Sequence, residues 1–160
     1  MILVEPAIRA RFGRSAFTKS ELEAFLASAR RAVGLGGSVS VLLSGDAELR
    51  RLNREFRGKD KPTDVLSFPA GERAGRAAGD LAISVETAAR EAERLGHRLA
   101  LELKVLLLHG VLHLAGYDHE ADSGEMARKE ETLRRKLGLA QGLIARSVGS
   151  ANGGRRGGKR

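Results

Sequence analysis

Three of the chain's four histidines fall within eleven residues, HGVLHLAGYDH, at positions 109, 113 and 119. Helical residues four apart differ by only about 40° in direction and one turn in height, so His109 and His113 share a face and their ring nitrogens can converge on one ion. Continuing the helix would swing His119 about 120° away. Gly116 offers an exit, because glycine takes the left-handed conformation that ends a helix. The chain can then fold back and present His119 as a third ligand. Neutral imidazoles suit zinc, and three protein ligands leave a fourth tetrahedral position open, which is the catalytic pattern. A closed structural site would need a fourth His or Cys. The chain has no Cys, and His97 reads as a hydrogen-bonded core residue. Nickel, cobalt or copper would suit three imidazoles as readily.

The spacing HxxxHxxGxxH is shared with metzincin metalloproteases, whose general base is a Glu at the second position. Here that position is Gly110, so a peptidase reading loses its proton acceptor. Gly110 either leaves room for a bulky substrate or lets the helix pack closely. Asp118, directly before His119, could orient a ligating imidazole, take a proton from water, or cap the turn after Gly116. Arg57 opens a charged turn, RGKDK, and a guanidinium fork can grip a phosphate or the charge developing on it. Spacing alone does not separate Arg57 from Arg54, Lys59 or Lys61.

The elements that must position these groups read as a mixed α/β pattern. Ile2 to Val4 suits an edge strand. Thr18 with Glu21 forms a capping box, followed by Leu22, Phe25, Leu26, Ala29 and Val33 at helical spacing up to Gly34. Val39 to Leu43 reads as a strand, and Asp46 as the cap of a helix with Leu49, Leu52 and Phe56 inward. Val65 to Phe68 is strand-like and closed by Pro69; GERAGRAAG is a loop. Leu81 to Ser84 is a short strand with Asp80 at its mouth, and Thr87 to Leu95 an amphipathic helix ending at Gly96. From Leu99 the run LALELKVLLLHGVLHLAG is apolar nearly all round, as a central buried helix should be. Asp122 and Glu125 start a last helix bearing Met126, Leu133 and Leu137, ended by Gly138. The expected architecture is one α/β (α+β) domain over residues 1–145, with a small mixed sheet of about four strands, five to six helices and a metal-binding cleft. A disordered basic Gly/Arg tail is expected over 146–160.

Composition narrows the partner. The chain has 160 residues, enough for one domain, with 42% hydrophobic and 30% charged residues. Aromatics are only 4% and Trp is absent, which argues against a base-stacking platform of the RRM or OB type. A net charge of +8 favours a polyanion, nucleic acid before an anionic membrane, although a solvated basic surface would carry the same charge. Without Cys there are no disulfides or thiolate metal sites. Neither a signal-peptide core nor a spanning apolar run is present, so a cytoplasmic location is expected.

Two stretches together, RGKDKPTDVLSFP and HGVLHLAGYDH, resemble the YbeY family of bacterial endoribonucleases, which mature ribosomal RNA. NREFRGKDKPTDVLSFP (53–69) and GDLAIS (79–84) are similar to the family's other blocks, in the same order, and the resemblance covers roughly residues 38–138. On the residues' own chemistry, His109 and Asp118 are expected to serve catalysis, and Lys59 and Lys61 to help bind substrate. The resemblance implies that His109, His113 and His119 hold one Zn²⁺ and that Arg57 works in an RNA-binding cleft. It further implies single-strand-specific cleavage, maturation of the 3′ end of small-subunit (16S) rRNA and ribosome quality control. The implied partners are precursor rRNA, the small subunit, a small-subunit ribosomal protein and the GTPase Era. Phe56 stands where the family often has Tyr, and the Gly/Arg tail is no family hallmark. The rivals are a ribosome-associated RNA-binding protein with structural zinc and a metzincin-like metalloprotease.

Overall fold

A computed structural model describes residues 1–71, 76–118 and 121–139, and within them the interleaved pattern resolves into four strands and six helices. The order is β1 (Ile2–Val4), α1 (Pro6–Ala16), α2 (Lys19–Val33), β2 (Ser38–Ser44), α3 (Asp46–Arg57), β3 (Val65–Pro69), β4 (Ala77–Ser84), α4 (Val85–Leu95), α5 (Leu99–Leu114) and α6 (Glu125–Lys136). They make the single α/β domain expected; the tail expected from residue 146 lies outside the described residues.

The sheet runs β1-β2-β4-β3, with β1 parallel to β2, β2 parallel to β4, and β3 antiparallel to β4. Parallel neighbours cannot be joined by a tight turn. Helices α1 and α2 make the first crossover, and α3 with β3 makes the second. Register then assigns the faces. Val41 pairs with Leu81, Leu43 and Val65 with Ile83, and Ser67 with Leu81, so these side chains share one face. Leu66 and Ala82 point the other way, onto Leu49 of α3.

Helix α5 covers the first face. Eleven of its sixteen residues are buried, and it packs on α2, α4, α6, β3 and β4. Each fully buried leucine contributes roughly 1.5–3 kcal/mol, so Leu103, Leu106, Leu107, Leu108 and Leu112 pin the helix that carries the histidines. At Gly110 the helix lies close against the sheet. A Cβ added there would lie 2.7 and 2.8 Å from the two methyls of Leu81. Close packing therefore accounts for this glycine; room for substrate does not.

Several local expectations are corrected. Residues 6–16 form a helix the sequence pattern did not suggest, broken at Gly13 (φ +73°), where Arg9 donates to the carbonyls of Gly13 and Phe17. Thr18 does accept from the Glu21 amide, but the Glu21 carboxylate turns to Lys104 rather than closing a capping box. Asp46 does not cap its own helix; the first amide of α3 donates to Glu86, while the Asp46 carboxylate accepts from Ser84, Thr87 and Arg90. Phe56 is not inward but 62% exposed, resting edge-on against Phe68. Strand β4 begins at Ala77, so Asp80 lies within it and pairs with Phe68 instead of standing at its mouth.

Candidate active site

The C-terminal end of α5, the end of α3 and the edge strand β3 meet around an open cavity of about 450 Å³. It is lined by Arg57, Thr63, Asp64, Val65, Ser67, His109, His113, Gly116, Tyr117 and Asp118. Each element arrives for a local reason. Gly58 takes a left-handed conformation that ends α3 just after Arg57. The alternation of β3 turns Val65 and Ser67 toward α5. Gly116, at φ +100°, ends α5 one turn after His113, as its position predicts.

The two imidazoles converge. His109 Nε2 and His113 Nε2 are 3.0 Å apart, with the rings nearly edge to face. Behind His109, its Nδ1 lies 3.2 Å from Glu130 Oε2 of α6. With Nδ1 as the donor to that carboxylate, the Nε2 lone pair of His109 would face His113. This donor set fits a cation. Two imidazole nitrogens on a tetrahedral zinc at 2.0–2.1 Å are about 3.3 Å apart, so the pair would open by only about 0.3 Å. Among the described residues no third His, Cys, Asp or Glu joins them into a three-donor group. His119, the expected third ligand, lies outside the described residues.

Arg57 is brought to the same cavity, its Nη2 donating to the Ser67 carbonyl at 3.2 Å across β3. Salt bridges now separate it from its neighbours. Arg50 and Arg54 share Asp60, and Arg51 sits between Glu48 and Glu55. Among the described residues no carboxylate pairs with Arg57, Lys59 or Lys61. The two lysines stand on the exposed turn before β3 and do not line the cavity, whereas Asp118 does, on its exposed rim. The Asp118 carbonyl accepts from the amides of Ala121 and Asp122, so its backbone holds the turn beyond Gly116.

Two acids escaped the sequence reading. Glu130 had a signal: with Met126 and Leu133 it falls on the buried stripe of α6, an acid where an apolar residue is expected. Asp64 had none, being one polar residue in a charged turn. Burial raises its carboxyl above the ordinary value of 3.8, the Glu102 carboxylate adds to the rise, and backbone hydrogen bonds, one from the Val65 amide at 2.8 Å, oppose it. A raised pKa in the fold means the native state holds the proton more tightly than the unfolded chain. The associated stability is present below 3.8 and is lost as pH rises through the raised value. Asp64→Asn should therefore melt higher than wild type at pH 7 in metal-free protein, with the difference vanishing below 3.8; thermal melts across pH check this. An equal difference at every pH would refute it. His97 behaves as expected of a core residue, its Nε2 2.8 Å from the buried Glu102.

Comparison with known proteins points one way. The family model described as endoribonuclease YbeY matches residues 11–138. The endoribonuclease YbeY of Koribacter versatilis is 54% identical over 134 residues, covering 82% of this chain and 85% of that protein. That of Solibacter usitatus is 52% identical over 125 residues, covering 78% and 83%. The solution structure of TM1509 from Thermotoga maritima superposes with a TM-score of 0.54 at 29% identity, over 86% of this chain and 89% of that one. Among the described residues no helix is long and apolar enough to cross a membrane.

Proposed function

This chain belongs to the endoribonuclease YbeY family, and from that premise we propose that it is a zinc-dependent, single-strand-specific endoribonuclease. Its proposed task is to mature the 3′ end of small-subunit rRNA and to serve ribosome quality control in the cytoplasm, alongside a small-subunit ribosomal protein and the GTPase Era. The observation that carries the reading is the convergence of His109 Nε2 and His113 Nε2 to 3.0 Å in a cleft that Arg57 also lines. His109, His113 and His119 would hold the ion. When bound, it would supply Lewis acidity toward a phosphate oxygen and make water a stronger acid.

The chain's own groups supply the rest. Arg57 lines the cleft and is tethered by the Ser67 carbonyl, so its guanidinium is held there before an RNA arrives. That preorganisation favours charge developing on the scissile phosphate. Lys59 and Lys61, outside the cavity, would hold flanking phosphates and contribute chiefly to salt-dependent affinity. Asp118 on the rim and Asp64 against the wall are the carboxylates placed to accept a proton from the attacking hydroxyl. Whether that hydroxyl is water's or the RNA's own 2′-hydroxyl is read from the products, since a 2′,3′-cyclic phosphate marks the second.

Metal analysis of the purified protein, paired with cleavage of a labelled small-subunit rRNA precursor, tests the proposal. Wild type should cleave, lose activity to a chelator and regain it with zinc. Arg57→Ala should reduce kcat on the order of 10²–10³-fold, as loss of one transition-state donor does, and Arg57→Lys should recover little because a point charge lacks the fork. Chelator-insensitive cleavage would overturn the zinc assignment, and an unimpaired Arg57→Ala would remove Arg57 from the site.

A further inference from the structure

We infer that Glu130 is a positioning residue, holding His109 as the Nδ1–H tautomer so that its Nε2 lone pair points into the cleft and binds the ion. The inference rests on the zinc reading above and assigns one part of it to an acid outside the histidine motif.

Packing does not explain this residue. Glu130 is 2% exposed on a helix face otherwise made of Met126 and Leu133. A carboxylate taken from water into such a place costs several kcal/mol unless it is paired. Leucine would fill the stripe without that cost. What the carboxylate does have is a geometry: Oε2 stands 3.2 Å behind His109 Nδ1, while Nε2 of the same ring stands 3.0 Å from His113 Nε2 in front. A hydrogen-bond acceptor behind a ligating imidazole fixes which nitrogen is protonated, locks the ring plane and raises the basicity of the coordinating nitrogen. Asp118, which the sequence offered as orienting acid, proton acceptor or turn cap, lies on the exposed rim of the cavity. Glu130 occupies the position behind the ring.

The fold also contains its own control. Half-buried His97 and buried Glu102 form a second imidazole–carboxylate pair at 2.8 Å, and neither residue lines the cleft. If Glu130 merely stabilised the fold, the two acids would respond alike. Full-length Glu130→Leu, Glu130→Gln and Glu102→Gln should be compared with wild type by melting of the metal-free protein, by zinc affinity against a competing chelator, and by imidazole ¹⁵N shifts of His109. Glu130→Leu should bind zinc about 10–100-fold more weakly with a melting temperature equal to or above wild type, and its His109 should lose the pure Nδ1–H signature. Glu130→Gln, which keeps an acceptor oxygen, should fall between. Glu102→Gln should lower the melting temperature and leave zinc affinity unchanged. The inference is overturned by a wild-type tautomer in Glu130→Leu, by zinc affinity unchanged in both Glu130 variants, or by losses that simply follow melting temperature as in Glu102→Gln. A wild-type protein that shows the expected tautomer yet binds no zinc would sink the zinc reading and leave the positioning role standing.

Discussion

His113→Ala is expected to lower RNA cleavage on the order of 10³-fold, equivalent to about 4 kcal/mol of transition-state stabilisation, while the protein stays folded and still binds RNA. The side chain is half-buried at the cleft end of α5, so truncating it removes little core. The change takes away the nitrogen 3.0 Å from His109 Nε2 but leaves His109 against Glu130. Loss of stability should stay near or below about 1 kcal/mol, the usual size for a site away from the core. Single-turnover cleavage of labelled RNA, a circular-dichroism melt and a gel-shift titration would be read together. A variant that unfolds would mean that the histidines hold the domain together, as in a structural zinc module. A variant that cleaves normally would take His113 out of the chemistry.

Gly110→Glu should give the largest loss of stability. The change would complete an HExxH sequence, and pattern matching alone would credit it with peptidase character. The structure predicts an unfolded chain instead. Even the Cβ of alanine would stand 2.7 Å from a methyl of Leu81, which is 1% exposed and enclosed by α5 and the sheet. Overpacking of that kind costs about 1–3 kcal/mol. A glutamate adds an unpaired carboxylate in apolar surroundings, worth several kcal/mol more. Together these approach the 5–15 kcal/mol that a whole domain commands. Soluble expression and thermal melts of Gly110→Ala and Gly110→Glu would show a graded loss; a Gly110→Glu protein melting like wild type would disprove the close α5–β4 contact.

The histidine pair was legible because helical periodicity alone puts positions 109 and 113 on one face and Gly116 at the exit. The buried run of α5 and the stop at Gly34 were legible for the same reason: both are local. Phe56 was misjudged although its spacing from Leu49 and Leu52 is regular. It sits in the last turn of α3 against Phe68 of the edge strand β3, where the sheet ends, and only the sheet's width could have shown that. Helix α1 went unseen because Ile8 is its single buried residue, too few to mark a period, though Pro6 at its first turn is a common start. Strand order could not be read at all. It depends on pairing residues some forty positions apart, as in Val4 with Leu43 or Leu42 with Ala82, where many pairings satisfy the same alternation. Arg57 stood out from its basic neighbours through family likeness; its physical distinction is that Asp60, Glu48 and Glu55 neutralise Arg50, Arg51 and Arg54, while Lys59 and Lys61 do not line the cavity.

The placement of Glu130 on the last described helix has a consequence for timing. Synthesis runs from the amino end, so a growing polypeptide owns Arg57, the sheet and both imidazoles of α5 well before α6 has been translated. Until α6 docks, His109 lacks the acid that fixes its proton, and the ring can turn or carry that proton on the wrong nitrogen. On the role proposed for Glu130, such a half-made enzyme would be poor at capturing zinc, and the nuclease would stay blunt until α6 has docked.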